Sequence, residues 1–348
     1  MRLKQIALSA LTHPAVGPLL RPLRRGVGTI FMLHRFAHPD RGVRGHPAGV
    51  LRESLAYLRR GGYRVVPLTE LLDALRTPGA LREPAVAFTV DDGYADFSEV
   101  GAPIFAEFDC PVTLFVTTGP LDGVCWFWWD RLEFAMEHAA RPALAVEVAG
   151  APLRLTWATD AEREAAWYAL VEALKRVPDA ERQDVLASAE AALGASVPAA
   201  PPPRYTTMSW DEARQWAGAG TGVTFGPHTV THPILSRVTD AQAAFEIGES
   251  WRRLRDELRG RDGACVPVFC YPNGKDADFL ARDVEAVRAA GLDAAVTTEH
   301  GHAAPASAAR PARRYAVPRF PYPDDMPHFV QIATGLERAK MALRGALA

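Results

Sequence analysis

One run of ten residues constrains this chain more than any other: Pro84-Ala85-Val86-Ala87-Phe88-Thr89-Val90-Asp91-Asp92-Gly93. Five or six apolar, β-favouring residues end abruptly in two carboxylates and a glycine. An apolar strand without polar alternation is buried on both faces, as in a parallel sheet that helices cover on each side. Folds of that kind carry their chemistry at the carboxyl ends of the strands, where Asp91 and Asp92 stand. Asp-Gly by itself is also an ordinary turn after a strand. The second acid and the rest of the chain weigh against that plainer reading.

Similar runs recur along the 348 residues, a length that suits one large α/β domain or two average ones. Gly28–Leu33 reads as a first buried strand and ends in His34-Arg35-Phe36. Residues 51–60 have helical spacing (Leu51, Leu55, Leu58) and stop at Gly61-Gly62; 63–68 is strand-like, a helix opens at Thr69, another covers 98–108, and 111–116 is again β-rich. Strands and helices alternate at βα spacing, which predicts a parallel sheet or barrel.

The rhythm breaks over 121–205. This stretch opens on Trp126-Phe127-Trp128-Trp129-Asp130, turns Ala- and Glu-rich, and closes in Pro198, Pro201, Pro202 and Pro203. It reads as a helical insertion with a stiff linker, set over the barrel mouth. Its aromatics, Trp128 among them, suit either stacking on a sugar ring or packing the insertion's own core. The organisation expected is a basic tail (1–26), a first barrel part (27–120), the insertion (121–205), and a second barrel part with a terminal helix running to about Leu347 (206–348). In that second part, strands are expected at 223–226, 266–270, 294–298 and 315–320, and helices at 240–260 and up to Ala290.

Bulk properties exclude several roles. A net charge of −2 implies no general attraction to nucleic acid. Cys110, Cys125, Cys265 and Cys270 lack CxxC spacing and read as free thiols of a reducing compartment. Residues 1–36 carry Arg2, Lys4, Arg21, Arg24 and Arg25 and no acid, but Thr12, His13, Pro14, Gly17 and Pro18 interrupt any leader-like apolar segment. A loosely docked tail is expected, with peripheral contact to an anionic membrane as its alternative use. The location expected is cytoplasmic and membrane-proximal. Oligomeric state is not legible in the sequence.

The chemistry comes from combining motifs. His228 and His232 follow a strand four residues apart, and on one helical turn both imidazoles would reach one cation. A lone HxxxH is a weak signal. Asp91 and Asp92 also follow a strand, where one can ligate a metal and the other face a bound water. Two imidazoles and a carboxylate leave open positions on Zn²⁺, with Co²⁺ or Ni²⁺ as alternatives, the pattern of a hydrolytic site. A metal there lowers the pKa of its water and polarises a carbonyl, and the second carboxylate takes the proton.

Thr89-Val90-Asp91-Asp92-Gly93, His228-Thr229-Val230-Thr231-His232 and Tyr271-Pro272-Asn273-Gly274, in that order, resemble the motifs of the polysaccharide deacetylase family, also known as the NodB-homology or carbohydrate esterase family 4 group. The resemblance covers roughly 28–320. Met32-Leu33-His34-Arg35-Phe36 further resembles the first strand of the subgroup acting on exopolysaccharides. The resemblance implies a distorted (β/α)7-type barrel, with Asp91 as catalytic base, Asp92, His228 and His232 as metal ligands, and the Asn273 backbone N–H at the oxyanion. It makes His34 the candidate acid for the departing amine, against a buried, hydrogen-bonded histidine as the plain alternative. Tyr271 and Trp128 stand as candidates to touch substrate.

Two departures stand out. Cys270 occupies the place of the arginine that orients the base in better-known members, and Arg319 is the candidate replacement, unless it merely forms a surface ion pair. The family's late histidine has no good match: His328 sits in an unsuitable context, and His300 and His302 read as a solvated loop. The function expected is metal-dependent removal of acetyl from an N-acetylated glycan or glycan precursor. A non-catalytic carbohydrate-binding descendant, or a hydrolase of another ester or amide, is the alternative.

Overall fold

Strand β1 (Gly28–Leu33) stands at the centre of the computed structural model, which describes residues 17–77, 79, 81, 83–218, 220–305 and 314–347. The chain continues through β2 (Arg64–Val65), β3 (Ala85–Val90), β4 (Val112–Val116), β5 (Ala143–Val148), β6 (Ala151–Thr156), β7 (Val223–Pro227), β8 (Val268–Cys270), β9 (Ala294–His300) and β10 (Val317–Pro321). The main sheet runs β7-β4-β3-β1-β10-β9-β8, all parallel, with β2 beside β3. The Phe225 N–H donates to the Ala264 carbonyl (2.7 Å) and the Val266 N–H to the Phe225 carbonyl (2.8 Å), so the segment entering β8 reaches β7 and the sheet nearly closes on itself. This is the (β/α)7-type barrel expected. Every residue of β1 and β3 is buried, as their unbroken apolar runs require.

Successive residues of these strands feed two cores. Ile30, Ala87, Phe115 and Val296 enter one, while Phe31, Leu33, Phe88 and Val90 enter the other. Helices α1 (Ala48–Arg60), α2 (Leu68–Ala74), α3 (Ala102–Glu107) and α4 (Thr118–Leu121) connect the first strands. The strand expected over 63–68 shrinks to Arg64–Val65, because Pro67 has no N–H for the ladder and starts α2 instead.

The insertion holds α5 (Trp128–Glu137), α6 (Asp160–Leu174) and α7 (Asp179–Leu193), and it is not wholly helical. Between α5 and α6, β5 and β6 form an antiparallel hairpin. Leu144, Val146 and Val148 alternate with Ala145 and Glu147, and Ala149-Gly150 makes the turn at positive φ (55° and 72°). The Ala and Glu content points to helix, but the period-two pattern wins. The insertion also has its own apolar core, in which Leu132, Met136, Leu144, Leu170, Leu174 and Leu193 meet.

The second barrel half adds α8 (Trp210–Trp216), α9 (Asp240–Glu257), α10 (Ala281–Ala289), α11 (Met326–Ala333) and α12 (Leu336–Leu347). The single terminal helix expected is broken at Gly335, whose φ of 81° no helix accommodates. Residues 17–24 form a 3₁₀ turn near α12, where the Arg338 guanidinium donates to the carbonyls of Leu23 and Arg25 (3.1 Å each). Arg2 and Lys4 of the basic tail lie outside the described residues. Among the described residues no helix is long and apolar enough to cross a membrane. The four cysteines are unpaired. His302 is not in a solvated loop: it is buried, its Nδ1 lies 3.1 Å from Thr29 Oγ1, and Phe320 packs against its ring.

Candidate metal centre and active site

At the end of β3 Asp91 meets Arg319, while Asp92, at φ 74°, faces His228 and His232. Four of the six described non-glycine residues at positive φ belong to this region: Asp92, Thr229, His232 and Asn273. Such backbone costs about 1–3 kcal/mol per residue and persists where the surroundings over-determine it. His228 and His232 do not lie on a helical turn, as their spacing suggested. They sit on a loop after β7, and the positive φ of Thr229 and His232 (67° and 61°) folds the loop so that both rings converge.

Glu246 of α9 holds that loop. Its carboxylate accepts the N–H of Val230 (2.7 Å) and Thr231 (2.9 Å) and the Thr231 hydroxyl (2.6 Å). Glu246 is buried and lies fifteen or more residues from its partners, so it carries no local signal in the sequence. Replacing it by Ala should weaken divalent-metal affinity about 10–100-fold, the usual effect of removing an outer support of a metal site. Metal titration of the purified variant checks this, and unchanged affinity would refute the role.

The Nε2 atoms of His228 and His232 lie 3.1 Å apart, and Asp92 Oδ1 is 3.6 and 3.5 Å from them. His228 Nδ1 is 2.7 Å from the Cys270 carbonyl, which can only accept, so Nδ1 carries the proton and Nε2 presents its lone pair. With metal–ligand bonds of about 2.0–2.1 Å, tetrahedral ligand atoms lie about 3.3 Å apart, close to the separations here. Burial raises the Asp92 carboxyl well above its ordinary value, and Asp91 and Asp130 raise it further. Burial lowers His228 to about 4 and His232 well below its usual value. A carboxylate among uncharged imidazoles is a donor set short of positive charge, and a divalent cation fits it.

Arg319 occupies the other side of Asp91. Its guanidinium donates to both carboxylate oxygens (2.7 Å each) and to Thr89 Oγ1 (2.9 Å), and it lies 3.2 Å from Cys270 Sγ. With Arg319 fully buried and Asp91 nearly so, this is no surface ion pair. Burial alone would raise the Asp91 carboxyl, but the Arg319 charge and hydrogen bonds, with His34 and His228, hold it well below the usual range. Asp91, His228 and Cys270 also lie close enough to form a second metal-like group, but the guanidinium already neutralises it.

The other candidates divide. His34 opens on the cavity with Nε2 3.9 Å from Asp91 Oδ2; its side chain is 44% exposed and makes no hydrogen bond among the described residues, unlike the buried alternative. Asn273 is held by Nδ2 donating to Asp278 (2.7 Å) and by Thr298 Oγ1 donating to its carbonyl (2.6 Å), while its own N–H has no partner among the described residues. Tyr271 borders the cavity but is buried and stacked on Phe279. Trp128 belongs chiefly to the insertion's core, beneath the Arg182 guanidinium. Trp128 also borders the cavity, and Trp129 comes nearest the metal donors, 4.8 Å from the His232 ring. His328 pairs with Asp325 on the surface, away from the cavity. The cavity of about 630 Å³ runs from the metal donors to the insertion, past Trp129, Asp130 and Trp167.

Residues 188–295 match the polysaccharide deacetylase family model. In that part the chain is similar to the polysaccharide deacetylase family. The matched part includes His228, His232 and Asn273 but not Asp91 or Asp92. A stretch of 61 residues is 41% identical to the poly-beta-1,6-N-acetyl-D-glucosamine N-deacetylase of Escherichia coli K12, spanning 18% of this chain and only 9% of that relative's length. Two solved structures share the fold. The Streptococcus pyogenes deacetylase PplD in complex with acetate is 15% identical with a TM-score of 0.54 (88% of this chain, 98% of that one). IcaB from Ammonifex degensii is 17% identical with a TM-score of 0.52 (89% and 98%). The barrel draws the buried arginine beside Asp91 from β10, in place of the Cys270 position where the resemblance would put one.

Proposed function

We propose that this chain is a divalent-metal-dependent hydrolase that removes acetyl from the acetamide of an N-acetylated sugar in a polysaccharide or glycan precursor. The observation that carries the reading is the pairing of two unlike acids at one strand end: Asp91 clamped by Arg319, Asp92 facing two imidazoles. The Escherichia coli relative's activity supports the substrate class.

Asp92, His228 and His232 would hold the cation, with Zn²⁺ the best fit and Co²⁺ or Ni²⁺ compatible. A cation bound there lowers the pKa of water and polarises the acetyl carbonyl. Asp91, kept ionised by Arg319, accepts the proton of the attacking water. The Asn273 N–H donates to the carbonyl oxygen as it gains charge. His34, whose Nε2 lies 3.9 Å from Asp91 Oδ2, hands a proton to the departing amine.

The purified chain should carry about one equivalent of divalent metal, and His228→Ala should lose most of it, since two donors are too few for tight retention. Metal analysis checks this, with acetate release from N-acetylglucosamine oligomers measured before and after chelation. Equal metal in both proteins, or acetate release indifferent to chelation, would overturn the reading.

A further inference from the structure

Three acids of the insertion line the cavity and have no part in the proposed chemistry: Glu133 and Glu164, which pair with Arg204 and Arg44, and Asp130, which has no such partner. Asp130, in the first turn of α5, is 4% exposed, and its Oδ2 accepts the Tyr94 hydroxyl at 2.7 Å. Tyr94 is itself immobilised. Trp129 Nε1 donates to its oxygen (3.0 Å), and the Arg35 guanidinium lies 3.7 Å from its ring centre. Arg35 is neutralised elsewhere, by Asp96 at 2.6 Å, and among the described residues no cation pairs with Asp130. Asp130 Oδ1 has no protein partner among the described residues, and the residue lies on the cavity wall.

A buried carboxylate with one bare oxygen, and with Arg35 and Arg204 acting on it only from beyond ion-pair range, is costly to keep. Packing does not require it, since the Tyr94 hydroxyl needs only one acceptor. Nor does Asp130 join the metal donors, which are Asp92, His228 and His232. Its surroundings indicate what it meets. The neighbouring Trp129 reaches the His232 ring, Trp167 Nε1 donates to the Trp129 carbonyl (3.0 Å), and the exposed Tyr168 also lines the cavity. An aromatic wall beside a lone acceptor matches a polyhydroxylated ring, whose C–H face stacks while a hydroxyl donates. Burial raises the Asp130 carboxyl to about 7 against the opposing Tyr94 hydrogen bond, which agrees with a group poised for a ligand.

We infer that Asp130 is a substrate-binding residue, its Oδ1 accepting a hydrogen bond from a sugar hydroxyl while Trp129 and Trp167 flank the ring. The inference rests on the sugar-deacetylase reading above and deepens it. The insertion thereby selects the sugar, while the barrel handles the acetyl group.

The test is calorimetric titration of N-acetylglucosamine oligomers and their monodeoxy analogues into the metal-loaded full chain, for wild type, Asp130→Ala and Asp130→Asn. One monodeoxy ligand should bind wild type about tenfold more weakly or worse, the loss expected for a hydrogen bond to a charged acceptor. Asp130→Ala should bind the parent oligomer correspondingly more weakly and ignore that deoxygenation. Should Asp130→Ala not fold, Asp130→Asn keeps an acceptor for Tyr94 and should show a smaller loss of the same kind. Identical discrimination in wild type and variants, or no affinity of wild type for any oligomer, overturns the inference. Acetate release from the same oligomers separates the two readings. Binding that depends on Asp130 without release rejects the deacetylase and keeps Asp130, whereas release indifferent to Asp130 does the reverse.

Discussion

Asp91→Asn should slow acetate release about 10²–10⁴-fold, the range that general-base catalysis supplies. An amide cannot take the proton of the attacking water. The metal donors Asp92, His228 and His232 are untouched, so the variant should retain divalent metal near the wild-type stoichiometry. Arg319 would then face a neutral amide in a fully buried position, and the variant should also unfold more readily than wild type. Acetate release, metal analysis and a melting curve on one preparation distinguish these effects. Turnover within tenfold of wild type, with metal bound, would remove Asp91 from the mechanism.

Arg319→Met carries the largest expected loss of stability. It removes the cation that makes two hydrogen bonds of 2.7 Å to Asp91 and leaves a nearly inaccessible carboxylate without a counter-charge. Breaking one side of such a pair costs about 3–5 kcal/mol. Activity should fall as well, because burial then raises the Asp91 carboxyl against only His34 and His228, and the base spends more time protonated. Denaturant unfolding measures the first effect and acetate release the second. A variant as stable as wild type would mean that Cys270, whose Sγ lies 3.5 Å from Asp91 Oδ2, suffices to hold it. Arg319→Lys should recover part of the stability but not the two-pronged geometry, since an ammonium is a point charge and not a planar fork.

Several features of the site were legible one residue at a time. The strands β3, β7 and β8 are short, largely apolar runs followed by polar residues, so Asp91, His228 and Asn273 announce themselves by position. Local signals misled where two codes overlapped. The β5–β6 hairpin lies in an Ala- and Glu-rich stretch whose composition favours helix, while its alternation and its Ala149-Gly150 turn favour strands. The His228–His232 spacing suits a helical turn, yet the pair converges through left-handed backbone that spacing does not encode. Trp128 and Trp129 are neighbours of one type, and only packing sends one into the insertion's core and the other toward His232.

By itself, the sequence determined the βα alternation, the two acids at the end of β3 and the pair of imidazoles, because local periodicity and strand ends are properties of contiguous residues. Tertiary structure alone decided that Arg319 clamps Asp91, that Glu246 holds the histidine loop, and that Tyr94 pins Asp130. Arg319 lies 228 positions from its partner, and closure of the barrel sets them face to face. Charges that distant pair only when folding has removed water from between them, and no local pattern in the chain records that event.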